Sequence, residues 1–365
     1  TDDYIQLLMP IDYSAVTVSA WVKCTVDDGT AKMIDGGRDS TNDGFCLFLD
    51  SAERLIIKIN GDACPSSGTN LVGVNKWAHV VGTYDGDIGR TYINGVAGNT
   101  IDVSTDGITS VATNARIGVN AFDSNNYFEG NISEVAIYNK ALSASEVKTL
   151  YNGGEPYNHK EGVALGNLQA WWRMGDGVLD KSFIGNTTGT SDQTSLICDE
   201  VDPTLGAELV SNGDFDDETN YSDYATEEGD DVDLSTEQVL VGTNSLKIDV
   251  SNAGEGTRLT MTPVTANKLY RISAWFYVTA GSGKINPNDS HWSPNSIEPK
   301  TTTTNQWEQL IVYNYAVSTV SSAHIFFVAG DNSSVFYLDN VSVKEVNGNP
   351  GVALNSGGIF EGDTP

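Results

Sequence analysis

An all-β chain of two antiparallel β-sandwiches in tandem, with one short helix, is the fold class this sequence predicts, and three observations support it. Short runs of alternating apolar and polar residues recur from Val16 to Tyr138, Gly, Asn and Asp separate them, and a second series of such runs follows from Ser245 onward. Period-two alternation sends successive side chains to opposite faces of a strand, and the interrupting residues supply the turns between strands. Antiparallel sandwiches rather than βαβ units follow from strands that succeed one another with scarcely a helical segment between them.

The strands of the first series are Val16–Lys23, Gly44–Leu49, Arg54–Asn60, Trp77–Tyr84 and Arg90–Asn94. Asn94-Gly95 marks a hairpin, because both residues tolerate positive φ. One helix interrupts the pattern: Ser143-Ala-Ser-Glu146 makes a capping box, Val147, Leu150 and Tyr151 give an apolar stripe, and Gly153 closes it. Glu155 to Gly162 reads as a linker. Leu168-Gln-Ala-Trp-Trp172 is then one emphatic strand that completes the first sandwich. Either tryptophan offers a sugar platform, but adjacent strand residues face opposite ways, so at least one enters the core. Asp180 to Pro203, rich in Thr, Ser, Gly and Asp, reads as a long irregular connection.

In the second series the strands are Ser245–Val250, Leu269–Val278, Trp307–Ala316 and His324–Val328. Along Leu269–Val278 the residues Ile272, Ala274, Phe276 and Val278 share one face, while Arg271, Ser273, Trp275 and Tyr277 share the other. The first row reads as core. The second combines flat rings with hydrogen-bonding groups, as a glycan-binding cleft requires, unless a helix, loop or neighbouring domain covers it. The loop Asn286–Ser296 holds a tryptophan that no local periodicity explains. Trp292 is therefore the first candidate ligand contact, with Asp289 and His291 beside it for sugar hydroxyls. Its alternative is a plug at the end of its own domain. These divisions give a sandwich over 1–154, a linker with the double-tryptophan strand over 155–207, a second sandwich over 208–346 and a Gly-rich tail over 347–365.

Composition narrows the function. The 365 residues include 37 Gly and 10 Pro with 39% hydrophobic residues, enough for more than one core. Lys plus Arg number 20 against 49 Asp plus Glu, a net charge of −29 that repels nucleic acid and anionic membranes. The same acidity supplies oxygen ligands for hard cations such as Ca²⁺. No run of eighteen apolar residues suits a membrane-spanning helix, and the opening Thr1-Asp-Asp reads as a processed chain or an excised fragment. Cys24, Cys46, Cys64 and Cys198 form no Cys-x-x-Cys pattern; one disulfide in an extracellular setting and buried thiols are both compatible with their spacing.

Three resemblances refine this reading. Ser19-Ala-Trp-Val, Trp77 to Gly86, Tyr92-Ile-Asn-Gly-Val and Phe128 to Ser143 resemble the laminin-G/concanavalin-A-like jelly roll, which implies two facing antiparallel sheets. Val210-Ser-Asn-Gly-Asp-Phe-Asp216 with Trp307 to Tyr313 and Val335 to Val346 resembles the first and last strands of family 4/9-type carbohydrate-binding modules, and places Trp307 in the core. That resemblance implies a structural Ca²⁺ joining those strands, with Asp216 and Asp339 as the matching positions and Asp214 as a substitute where the family more often has Glu at 216. The order of modules along the chain, with its Gly-rich tail, resembles virion and fibre proteins of tailed, particularly marine, phages. It implies an exposed, homo-oligomeric virion protein that contacts host glycans and other virion proteins.

An enzyme is not expected. The concanavalin-like glucanases use a Glu-x-Asp-x-Glu strand, which is missing here, as are Gly-x-Ser-x-Gly and His-Glu-x-x-His. Asp35, Asp50, Asp85 and Asp87 read as turn residues. The expected function is a non-catalytic virion adhesion protein presenting carbohydrate-binding sandwiches at the virion surface or in an extracellular setting. The alternatives are a secreted carbohydrate-binding appendage of a polysaccharide-degrading system, and a purely structural shell protein with no glycan ligand.

Overall fold

The computed structural model describes residues 4–7, 11–25, 31–36, 44–65, 72–103, 108, 115–121, 126–174, 195–197, 199, 201, 204–261, 263–287, 290–293, 298–349 and 351–354. Most of the connection 180–203, most of the tail 347–365, Cys198 and Asp289 lie outside these residues. The chain forms two units, one from Thr1–Phe183, Gln193–Pro203 and Gly348–Pro365, the other chiefly from Thr204–Asn347.

The first unit is a sandwich of two antiparallel sheets. One runs in the order Ser195–Ile197, Gly351–Leu354, Tyr4–Leu7, Arg116–Ile117, Ala31–Asp35, Phe45–Leu49, Leu55–Ile59, Asp62–Pro65. The other runs Leu168–Trp172, Gly130–Tyr138, Val16–Cys24, Trp77–Tyr84, Ile88–Ile93, Val96–Asp102. Alternation decides what each face buries. Val18, Ala20, Val22, Val80, Val135, Ile137 and Trp172 meet Phe45, Leu47, Ile57 and Ile59 in the core between the sheets. Cys24 and Cys46 are buried. Asn94 and Gly95 take φ of 51° and 74° at the hairpin between Ile93 and Val96.

The outer face of the second sheet is itself covered. The helix Ala144–Tyr151 has the capping box, with Ser143 N donating to Glu146 Oε2 at 2.7 Å, and buries Val147 and Leu150. These side chains join Val81, Tyr92, Ala136, Tyr138, Leu168 and Trp171 in a second apolar layer. The segment after the helix, linker-like in composition, packs into the same layer: His159 is 2% exposed and its Nδ1 lies 2.7 Å from the Tyr138 hydroxyl. Trp171 therefore faces the cover and Trp172 the core, opposite sides of one strand.

The four residues Gly351–Leu354 of the expected tail are a strand of the first unit, between Tyr4–Leu7 and Ser195–Ile197. Asn349 seats that strand, with its N donating to Asp199 Oδ2 at 2.9 Å and its carbonyl accepting the Trp172 Nε1–H at 2.7 Å.

The second unit is also a sandwich. Its larger sheet runs Asp231–Ser235, Ser245–Val250, Ser334–Val346, Leu269–Ala280, Trp307–Ala316, Trp292–Ser293, with Leu205–Glu208 beside the end of Ser334–Val346. Its smaller sheet runs Tyr221–Tyr224, Gly256–Met261, Ala323–Ala329, Gly283–Asn286. Ile272, Ala274, Phe276, Val278, Leu310, Val312, Phe336 and Leu338 pack against Leu259, Ile285, Ile325 and Phe327 in its core. Entry and exit of this unit meet, because Asn347 N donates to the Thr204 carbonyl at 3.0 Å.

Candidate functional site

The outward face of the larger sheet of the second unit holds a regular array of side chains. Tyr270, Ile272, Ala274, Phe276 and Val278 are buried, so Arg271, Ser273, Trp275 and Tyr277 point the other way. Cross-strand register sets a neighbour on each side: Lys344, Arg271 and Tyr313 form one row, Ser342, Ser273 and Ile311 the next, then Asp339, Trp275 and Gln309, then Tyr337, Tyr277 and Trp307. Paired residues of an antiparallel ladder share a face. Six steps of about 3.3 Å from Arg271 to Tyr277 make a strip about 20 Å long.

Arg271, Trp275, Tyr277, Trp307 and Tyr313 are all half-buried, and Gln309 is exposed. Among the described residues no element wholly covers them. The rings are held by one another: Tyr277 lies edge-on to Trp307 at 5.6 Å and to Tyr337 at 6.3 Å between centroids. At the other end Arg271 Nη1 donates to Ser273 Oγ at 3.0 Å.

One wall of the strip is the loop between Ser235 and Ser245. Tyr337 donates its hydroxyl to Glu237, and burial together with that hydrogen bond pushes the phenol up to about 12. Asp339 Oδ2 accepts the amides of Leu240 at 2.7 Å and Val241 at 3.0 Å, while its Oδ1 accepts Asn340 N at 2.6 Å. A β-bulge explains the aim of Asp339. Register shifts between Ser273 and Trp275, where Asn340 has φ of 48°, and the extra residue re-aims the side chain beside it. Asp216 holds the same loop from another side, with Oδ1 accepting Thr243 N at 2.7 Å and Thr243 Oγ1 at 2.9 Å. Gly242 permits that approach, because its φ is +74° and a Cβ there would lie 2.3 Å from Asp216 Oδ1. So anchored, the loop presents Leu240 and Val241 to solvent at 36% and 42% exposure.

The expected calcium ligands Asp339 and Asp216 are engaged by hydrogen-bond donors of the protein in this structure. Burial raises the Asp339 pKa against the pull of its amide donors, and the neighbouring charge of Asp214 raises it further. A calcium site offers six to eight oxygens to one centre, whereas both oxygens of Asp339 and Oδ1 of Asp216 receive N–H or O–H groups. Among the described residues no three His, Cys, Asp or Glu side chains are grouped as metal ligands.

Trp292, the first candidate for ligand contact, is corrected. It is 2% exposed, packs edge-on to Tyr270 at 5.5 Å and donates Nε1–H to the His324 carbonyl at 3.2 Å. An indole so enclosed has no face left for a sugar. His291, beside it, is half-buried with Nδ1 3.0 Å from Ser318 Oγ, on the strand edge rather than in the strip. Asp289 lies outside the described residues. Trp307 is also corrected: expected in the core, it pairs with Tyr277 on the outward face. Tyr313, Tyr337 and Glu237 are strip residues that sequence reasoning missed. Strand parity across Trp307–Ala316 was the available signal, but Ile311, Tyr313 and Tyr315 are as apolar as the inward Leu310 and Val312.

Residues 1–148 match the model of the concanavalin A-like lectin/glucanases superfamily, Laminin_G_3. The match covers the two facing antiparallel sheets of the first unit, a concanavalin-A-like jelly roll, and does not reach the second. Among solved structures it is similar to a candidate carbohydrate-binding protein of Bacteroides ovatus, at 18% identity over 55% of this chain and 53% of that one, with a TM-score of 0.42. The chain thus spans about half the length of that protein. It is also similar to the heptameric SAP-like pentraxin of Limulus polyphemus, at 17% identity over 41% of this chain and 75% of that one, TM-score 0.36. The CBM40 module of the Ruminococcus gnavus IT-sialidase, bound to α2,3-sialyllactose, gives 17% identity over 38% and 84%, TM-score 0.34. No curated protein matches the chain. Scores of this size assign no ligand.

Proposed function

We propose that this chain is a non-catalytic adhesion protein of a virion surface that binds glycans on the outward strip of its second sandwich. The observation behind the reading is that strip: Trp275, Tyr277 and Trp307 stand side by side, half-open to solvent, on a rigid sheet with a pinned loop as wall. Aromatic faces stack on the C–H faces of pyranose rings, and Arg271 and Gln309 supply hydrogen-bonding groups for hydroxyls, while buried Ser273 holds Arg271 from beneath. Rings fixed by their neighbours lose little entropy on binding. Contiguous aromatic surface left open on a folded domain marks an interaction site more often than chance. Asp199 and Asp339, two of the buried carboxylates, each accept three backbone amides, which supports a structural role for those two. The virion setting is supported by the module order and the Gly-rich tail.

The test is a glycan array with the purified chain, together with Trp275→Ala and Tyr277→Ala. Each substitution is expected to weaken binding by roughly tenfold or more, the scale of an interface hot spot, with only a small fall in melting temperature. Undiminished binding in both would remove the site. Light scattering addresses the setting: a stable homo-oligomer supports a virion component, and a monomer moves the reading to a secreted carbohydrate-binding appendage.

A further inference from the structure

The strip is electrically uneven. At the Tyr277 end it carries Glu237 and Asp339. At the other end Arg271 and Lys344 sit directly opposite each other on adjacent strands, in a chain whose net charge is −29. The Lys344 ammonium is 3.9 Å from Glu208, a long contact, and that carboxylate is already engaged by Ser342 Oγ at 2.6 Å and Val343 N at 2.7 Å. Lys268 pairs with Glu345 at 3.1 Å nearby. Arg271 shows no carboxylate within ion-pair distance among the described residues, and its one hydrogen bond there, from Nη1 to Ser273, leaves most of a five-donor fork unused. Among the described residues, two carboxylates against three cations leave this end with a net positive charge.

From this juxtaposition we infer that the strip is built for an acidic glycan, with Arg271 taking the carboxylate of a uronate-type residue while neighbouring sugars stack along Trp275 and Tyr277. This rests on the glycan-binding reading of the same strip. A planar guanidinium binds a carboxylate through two parallel N–H···O bonds, which a hydroxyl cannot match. Tyr313 lies directly across from Arg271 and offers a ring edge for the same sugar. The overall negative charge of the protein does not oppose this at close range, because exposed charges more than about 8 Å away are largely screened at physiological salt.

The experiment compares two matched probe pairs by isothermal titration with the full chain: homogalacturonan oligomers and alginate oligomers, each against its carboxyl-reduced, neutral form. For at least one pair the acidic form should bind about tenfold tighter than the reduced form, the worth of a charge-assisted bidentate contact. Arg271→Gln should erase the difference, Arg271→Lys should restore part of it, and Trp275→Ala should weaken both forms. Equal binding of acidic and reduced forms, or a preference that survives Arg271→Gln, overturns the acidic-glycan inference and leaves glycan binding standing. Binding of neither form of either probe by the folded chain overturns the acidic-glycan inference. If the array is also blank, glycan binding falls with it.

Discussion

Asp339 shows how one side chain can organise a recognition surface. It is fully buried, and its two oxygens take three backbone amides. Removing the carboxylate would strand the Leu240 and Val241 amides, and an unsatisfied buried donor costs about 1–3 kcal/mol. Asp339→Ala is accordingly expected to lower the urea stability of the second unit by about 2–3 kcal/mol and to weaken glycan binding through the loosened loop. Because the anchors are amides, the melting temperature should be the same with and without EDTA; a fall of several degrees on chelation would return Asp216 and Asp339 to the role of cation ligands. Among aromatic residues, what could be read beforehand depended on local pattern. Trp275 was legible as outward because its strand alternates cleanly over Ile272, Ala274 and Phe276. Trp292 was not, because its burial comes from Tyr270 and the His324 carbonyl, partners 22 and 32 residues away in sequence.

The cover on the first unit is the element whose chemistry depends most on pH. Two histidines are buried at it, His79 on the sheet strand beneath and His159 in the segment after the helix. His79 Nε2 is 2.8 Å from Ser19 Oγ, and its ring stacks on Tyr151 and is tilted by 42° to Trp21. His159 meets Tyr138, Tyr157 and Trp171. Around them the titratable groups are the tyrosines 138, 151 and 157, with Glu134 behind Trp171 and Glu146 near Tyr138. Burial lowers His79 to about 3 from an ordinary 6.5, and burial together with the neighbouring His79 lowers His159 to about 3 as well. A depressed histidine pKa means that the unfolded chain binds the proton more tightly. The contribution to stability is complete above pH 6.5 and is lost as pH falls from there toward 3, at about 1.4 kcal/mol per pH unit for each histidine. Between pH 7.5 and 5 the first unit should lose roughly 4 kcal/mol from the pair. Buried Asp199, whose pKa is raised, acts in the opposite sense. Urea unfolding at several pH values checks this, with His79→Gln and His159→Gln each flattening the slope; stability that stays level from pH 7.5 to 5 would refute it. The helix of this cover was legible from its capping box and apolar stripe. The segment after it was not, since Tyr157 and His159 sit among polar residues, and only the sheet beneath supplies the surface that buries them.

At the scale of the whole molecule, the first unit is closed by two strands far apart in sequence, Tyr4–Leu7 and Gly351–Leu354. Gly351–Leu354 pairs with Tyr4–Leu7 from Tyr4 opposite Leu354 to Leu7 opposite Gly351. No periodicity argument reaches across such a separation, and four residues reading Gly-Val-Ala-Leu do not alternate, so this strand was illegible as part of the first sandwich. The contact is close. A Cβ on Gly351 would lie 2.6 Å from Ile5 Cγ2, so glycine lets the two strands approach. Asn349 adds a polar lock, because its carbonyl is the partner of the indole N–H of Trp172, a fully buried core residue, and its own N–H satisfies Asp199. Truncation after Asn347 would remove the strand, leave Trp172 Nε1 and Asp199 Oδ2 without those partners and uncover the edge of Tyr4–Leu7. The orphaned groups alone cost about 1–3 kcal/mol each. An uncovered edge strand also invites pairing with another chain. Hydrogen exchange read peptide by peptide separates the two units: in the truncated protein the amides of Tyr4–Leu7 and Leu168–Trp172 should lose protection, while those of Ser245–Val250 and Leu269–Ala280 keep it. Unchanged protection across Tyr4–Leu7 would mean that the first sandwich closes without its last strand. A loss that also spread through Leu269–Ala280 would mean that the second sandwich needs that strand as well.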